Sequence, residues 1–174
     1  MRRITLIATG GTIEKTYDER TGRLDNKVSI LHEMLGLLRL EDTAVQAVPL
    51  LQKDSLDLTD DDRRQILGSV RAAIETGADG VVILHGTDTL CVTGELLCAE
   101  LGATLAIPVV LTGAMRPFEM KHSDALQNLT EAAFATGALP AGVYVVAHGR
   151  SLRFPGPVKD LEAGTFVQTG SPGG

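Results

Sequence analysis

At 174 residues, with 44% hydrophobic and 22% charged side chains, the chain has the make-up of one globular domain with its own core, which excludes the low-hydrophobicity signature of disorder. A net charge of -6 and a pI near 5.2 argue against a nucleic-acid partner, which needs clustered Lys and Arg, and 3% aromatic residues without Trp offer no platform for stacked bases. The apolar run in MRRITLIATGG is too short for a membrane span or a signal peptide, so the expectation is a cytoplasmic protein with no membrane partner.

In chain order, a first strand is expected over 4–8, ending on TGGT. A helix is expected over 26–38, where Val28, Leu31, Leu35 and Leu38 recur at helical spacing, and a strand over 45–50 leads to KDSLDL. From Thr59, TDDDRRQILGSVRAAIETG opens with a capping Thr and three acids that suit a positive helix end. It stripes Ile66, Val70 and Ile74 along one face and stops at Gly77. A strand over 80–84 precedes HGTDTL, and a helix over 90–101 carries Leu90, Leu97 and Leu101. Next come a strand over 108–112 with TGAMRP behind it, and a helix capped by Ser123 with Leu126, Leu129 and Ala133, stopping at Gly137. The last strand, over 143–147, runs into HGRSLRF; residues 169–174, TGSPGG, read as a flexible tail.

Four of the five strands are almost continuous Val, Ile, Leu or Ala, the pattern of strands buried on both faces of a parallel sheet. Strand and helix alternate throughout, so residues 1–168 are expected to form one α/β domain with a doubly wound, mainly parallel sheet of the Rossmann or flavodoxin type. In such a sheet the ligand site lies beyond the carboxyl ends of the strands. Those ends carry Thr, Ser, Asp, His, Lys and Arg rather than generic loop filler.

The glycine pair of TGGT does not open a dinucleotide loop, because GxGxxG from Gly10 would require glycine where Thr12 and Lys15 stand; a phosphate loop fails likewise. No cofactor is expected. By itself Gly10–Gly11 reads equally as a tight turn. At the end of the third strand, Thr87 and Asp88 put a hydroxyl beside a carboxylate, and Gly86 permits close approach of backbone N–H groups, which points to nucleophilic chemistry. Asp88 alone could equally cap the following helix. His85 has no second His or Cys at ligand spacing, so no metal is expected, and Cys91 and Cys98, seven apart, read as reduced, buried residues.

TGGTIE, HGTDT and VVLTGAMRP, in this order and at this spacing, resemble the hallmark segments of the bacterial-type L-asparaginase and glutaminase family, and the chain is similar to the N-terminal domain of its two-domain members. The resemblance implies an amidohydrolase that converts L-asparagine to L-aspartate and ammonia through a threonine acyl-enzyme, or a glutaminase or other small-amide hydrolase. It also implies a homo-oligomer, dimer or tetramer. A domain that binds aspartate or a partner without turnover is the non-enzymatic alternative.

Carried across residue by residue, the resemblance makes Thr12 the nucleophile on a turn that Gly11 opens, and Tyr17 the hydroxyl that closes over it. Ser55 would hold the substrate α-carboxylate. Thr87 would offer its N–H to the oxyanion and orient water or the leaving amide, with Gly11 and Gly86 beside it in the substrate-binding set, and Asp88 would bind the α-ammonium. Lys159, in GPVKDLEAGTF, would complete a Thr-Lys-Asp triad as base or as the cation orienting Thr87; outside the resemblance it reads as a surface ion pair. The sequence departs from the pattern at Leu56, where many members have a polar residue contacting the ammonium. The resemblance also implies that a carboxylate from a neighbouring subunit's C-terminal domain completes the site, a part of the family pattern outside these 174 residues, so the chain reads either as a naturally short enzyme or as a fragment cut at the GSPGG linker.

Overall fold

Alternate residues of each central strand feed two different cores, which is why these strands read as unbroken apolar runs. The computed structural model describes residues 1–169; residues 170–174, most of the expected tail, lie outside the described residues. Five strands run parallel: β1 (Arg2–Gly10), β4 (Thr43–Lys53), β5 (Gly80–Leu84), β6 (Pro108–Thr112) and β7 (Gly142–Ala147). A sixth, β8 (Arg150–Arg153), returns antiparallel to β7, giving the order β4-β1-β5-β6-β7-β8.

Among the described residues, four α-helices cover the sheet: α1 (Leu31–Gly36), α2 (Asp60–Glu75), α3 (Leu90–Leu101) and α4 (Ala125–Ala138). Ile7, Val81, Ile83, Val109, Leu111 and Val145 pack with Ile66 and Val70 of α2 and Leu90 and Leu97 of α3. Ile4, Leu6, Val82, Leu84, Val110 and Val146 pack with Leu31 and Met34 of α1 and Leu129 and Ala132 of α4. Each such side chain removed from water is worth about 1.5–3 kcal/mol, so two cores share one sheet as their common wall.

The five expected strands form, extended by one to three residues at some ends. The helix from Asp60 forms with a complete capping box: the Thr59 hydroxyl accepts from the Asp62 N–H at 3.2 Å while the Asp62 carboxylate accepts from the Thr59 N–H at 2.9 Å. Lys53, bonded to the same carboxylate at 2.8 Å, is the first cause holding the Asp62 pKa down to about 2, with the Thr59 bonds adding to it. The helix over 90–101 forms with the expected bounds.

Three expectations need correction. The helix expected over 26–38 shrinks to Leu31–Gly36, because Asn26 donates to the Gly11 carbonyl at 2.8 Å and Ser29 to Glu14 at 2.6 Å; these side chains spend their polar groups on another loop. At the start of α4 the cap position belongs to Asp124 rather than Ser123, and the helix passes through Gly137 to Ala138 with the Arg2 guanidinium lying where a Cβ at 137 would be. Cys91 and Cys98 are free but only half-buried. Burial pushes the Cys91 thiol up to about 11, so it is a poor nucleophile.

Two short hairpins were not expected. One pairs β2 (Thr16–Asp18) with β3 (Arg23–Asp25) directly after the first turn, and the other pairs β9 (Pro157–Asp160) with β10 (Thr165–Gln168). The strand order places the reversal of winding direction between β1 and β5, as in a flavodoxin-like sheet, so the crevice lies between the residues that follow Gly10 and those that follow Leu84.

Candidate active site

The turn after β1 is built by backbone that side chains would obstruct. Gly10 and Gly11 have φ of 94° and 80°, and a Cβ on Gly11 would fall onto the Gly86 backbone and within 3.0 Å of the His85 carbonyl carbon. Gly11 donates to the Lys53 carbonyl at 2.9 Å, and a 3-10 turn over Thr12–Glu14 follows. Thr9 is buried, with its hydroxyl donating to the Leu84 carbonyl at 2.8 Å. Thr12 is half-buried. The order of the strands thus brings TGGT and HGTDT into contact at the switch point.

Gly86 makes the next close approach, since a Cβ there would lie 2.6 Å from both Cβ and Oγ of Ser55. Ser55 opens a 3-10 turn after β4, capped by Asp54, whose carboxylate accepts from the Leu56 N–H at 3.1 Å. Its hydroxyl accepts from the Thr89 N–H at 3.3 Å, and its carbonyl accepts from the Thr89 hydroxyl at 2.8 Å. Ser55 is 1% exposed and lies on the floor of the cluster; Leu56 is 70% exposed beside it.

Lys159, on β9, reaches across to the HGTDT loop. Its Nζ donates to Thr87 Oγ1 at 2.8 Å and to Asp88 Oδ1 at 2.6 Å, so the three residues of the expected triad are in mutual contact. The helix after this loop starts without a side-chain cap, so Asp88 is engaged by Lys159 and not by the helix end. Tyr17 stands on the β2–β3 hairpin, 56% exposed, with its backbone N–H donating to Glu119. Among the described residues no hydrogen bond joins Tyr17 to Thr12.

His85 controls the peptide between Gly86 and Thr87. Its ring is fully buried, and desolvation first of all lowers its pKa to about 4, so it is neutral at pH 7. Nδ1 faces the Gly86 carbonyl at 2.8 Å, an acceptor only; Nδ1 therefore bears the proton, and Nε2 accepts from the Thr93 hydroxyl at 2.8 Å. Because a peptide unit is planar and trans, pinning that carbonyl aims the Thr87 N–H to the opposite side, away from the imidazole. No three His, Cys, Asp or Glu side chains gather as a metal-holding group among the described residues.

Sequence reasoning missed the supports of the site. Glu14 is 2% exposed and accepts from the Gly10 N–H at 3.0 Å and the Ser29 hydroxyl at 2.6 Å. Burial raises its pKa, against the lowering effect of those two bonds. Lys15 pairs with Asp54 at 2.6 Å, tying the first turn to the Ser55 turn. Asp124 accepts from the N–H groups of Met115 and Arg116 and from His148 Nε2 at 2.7 Å, while Asn128 donates to the Gly113 carbonyl at 2.9 Å. Burial works to raise the Asp124 pKa, but these donors together bring it below the ordinary value. The polar pair at positions 124 and 128, four apart at a helix start, was the available signal. A groove of about 270 Å³ beside Phe134, Ala138 and Leu139 lies on the α4–β8 side, apart from these loops.

Comparison with known proteins identifies relatives in sequence and in fold. The family model described as Asparaginase, N-terminal, matches residues 3–166. A glutamyl-tRNA(Gln) amidotransferase subunit from Aeropyrum pernix is 33% identical over 151 residues, covering 86% of this chain and 35% of that protein. Among solved structures, the thermostable L-asparaginase from Thermococcus kodakarensis matches with a TM-score of 0.83 and 28% identity, over 98% of this chain and 52% of that one. A probable cytoplasmic L-asparaginase from Campylobacter jejuni matches with a TM-score of 0.72 and 27% identity, over 97% of this chain and 52% of that one. The chain thus spans about a third of the curated relative and about half of each solved neighbour. With the family model running over nearly its whole length, the chain belongs to the asparaginase family and corresponds to its N-terminal part.

Proposed function

We propose that the chain hydrolyses L-asparagine to L-aspartate and ammonia through an ester on Thr12. The observation that carries this reading is the Lys159–Thr87–Asp88 contact, set at the β1/β5 switch point opposite the turn that bears Thr12. In the first half-reaction Thr12 Oγ1 attacks the side-chain amide carbon and its proton leaves to a base. The C–N bond then breaks and the nitrogen departs as ammonia with that proton. In the second, water adds to the ester carbon, the Thr12–acyl bond breaks, and Thr12 regains its proton as aspartate forms.

Each remaining role answers a charge on the substrate. The Thr87 N–H, aimed away from His85, serves the developing oxyanion; Asp88 the α-ammonium; Ser55, from the floor, the α-carboxylate. With its ammonium deprotonated, Lys159 Nζ accepts from the Thr87 hydroxyl in place of donating to it, so the Thr12 proton passes through Thr87 to Lys159 and returns by the same path. Tyr17 covers the ester from the hairpin. The reading extends to one domain over residues 1–168 that works as a homo-oligomer in the cytoplasm, with light scattering and fractionation as the checks.

Ammonia release from asparagine should fall by at least about 10³-fold in Thr12→Ala. Retention of wild-type turnover by that variant overturns the assignment. A second reading, glutamine as the amide, is favoured by the amidotransferase name of the Aeropyrum relative. The ratio of kcat/KM for the two amides decides between them, one methylene being worth only about 1–3 kcal/mol in a pocket.

A further inference from the structure

Glu14 is a carboxylate where the packing offers no cation. It lies 2% exposed beneath the turn that carries Thr12, between Ile13, buried in the core, and Lys15, whose ammonium is turned away to Asp54. An unpaired buried carboxylate costs several kcal/mol unless its oxygens are hydrogen-bonded. An alanine would fit such a place without that cost, so the carboxylate calls for a reason.

Its two oxygens supply one. Oε2 accepts from the N–H of Gly10, the first of the two glycines whose positive φ angles set the direction of the turn, at 3.0 Å. Oε1 accepts from the hydroxyl of Ser29, at the point where the chain returns from the β2–β3 hairpin to α1, at 2.6 Å. One side chain therefore joins the start of the Thr12 turn to the far end of the segment that carries Tyr17. A second tie runs in parallel, from Asn26 Nδ2 to the Gly11 carbonyl at 2.8 Å. The turn and the hairpin are fixed to each other and not merely adjacent.

We propose that Glu14 is a positioning residue, a latch that sets the Thr12 hydroxyl relative to the Tyr17 hairpin through its paired bonds to Gly10 and Ser29. It touches no substrate. This inference rests on the reading of Thr12 as nucleophile, and it assigns a residue outside the hydroxyl, lysine and carboxylate set of that reading. Hydrogen-bond geometry, not charge, is what the latch requires. Glutamine can reproduce it, with its carbonyl oxygen facing Gly10 and its amide nitrogen donating to Ser29; alanine cannot.

The test compares Glu14→Ala, Glu14→Gln and Ser29→Ala with wild type in two measurements on the full chain. In asparagine turnover, Glu14→Ala is expected to lower kcat by at least about tenfold with KM within about threefold, Ser29→Ala to move the same way less far, and Glu14→Gln to restore kcat. In amide hydrogen exchange, Glu14→Ala should raise exchange at Gly10 and across residues 16–25, with Glu14→Gln again restoring it. A fall in melting temperature with unchanged kcat and KM, or a Glu14→Gln variant as impaired as Glu14→Ala, overturns the latch. If Glu14→Ala fails to fold, Ser29→Ala decides: wild-type kcat and wild-type exchange in that variant overturn the proposal. If the wild-type chain leaves asparagine and glutamine intact, the proposed function falls, and the exchange comparison still supports or overturns the latch.

Discussion

Gly11→Ala separates the effect of close loop contact from that of backbone strain. Gly11 sits at φ 80° with ψ near 180°, a region almost reserved for glycine, so alanine there costs on the order of 1–3 kcal/mol in strain alone. In addition its Cβ would fall on the Cα and N of Gly86, whereas ordinary carbon contacts lie near ~3.5 Å, so the two loops must part by roughly 1 Å. A displacement of about 1 Å between nucleophile and oxyanion donor is worth on the order of 10²-fold in rate. Gly149→Ala is the control, because its φ of 75° also lies where L residues are strained, while nothing lies within 4 Å of the added methyl. Steady-state kinetics of both variants, with melting curves to show the fraction folded, should give a loss of about 10²-fold in kcat for Gly11→Ala. Gly149→Ala should lose about 1–2 kcal/mol of stability and keep its kcat. Equal kcat in the two folded variants would refute the claim that the TGGT and HGTDT loops work as one contact.

Lys159→Met should lower kcat by about 10²–10⁴-fold, the usual worth of a proton-transferring group, while changing stability by no more than about 1 kcal/mol, since the pair it forms with Asp88 is partly exposed. Kinetics and urea unfolding check this, and a variant with near-wild-type kcat contradicts it. His85 gives a pH dependence of definite sign. Its folded pKa of about 4 lies below its unfolded value of about 6.5, so the stability it confers is complete above pH 6.5 and is lost as pH falls towards 4, by about 3 kcal/mol in all. Glu14, raised by burial, acts with the opposite sign as pH rises above its ordinary value, so the His85 contribution is read as the difference between wild type and His85→Gln in urea unfolding at pH 7.5 and pH 4.5. Parallel losses in the two proteins refute it.

The central strands were legible because burial on both faces writes a simple pattern: residues 80–84 and 108–112 stand in the fold with the bounds read from sequence. Their order was not legible, yet the chemistry-bearing ends were, since small and hydroxyl residues after apolar runs do not depend on which strand lies beside which. The hairpins escaped because three- and four-residue strands such as Thr16–Asp18 and Pro157–Asp160 carry no periodicity to detect. The helix expected from residue 26 failed for a physical reason. Val28 and Leu31 keep helical spacing, but Asn26 and Ser29 find their partners in Gly11 and Glu14, contacts that only the tertiary structure creates. Nothing in the sequence around Glu14 marks it as buried; its burial and its bonds to Gly10 and Ser29 are tertiary properties.

Trapping the covalent intermediate tests the account most directly. Rapid quench in acid during turnover of asparagine, followed by peptide mapping by mass spectrometry, should place an aspartyl ester on the peptide bearing Thr12, with none in Thr12→Ala. An ester on Thr87, the hydroxyl that Lys159 touches, or turnover with no ester on any residue, would contradict it.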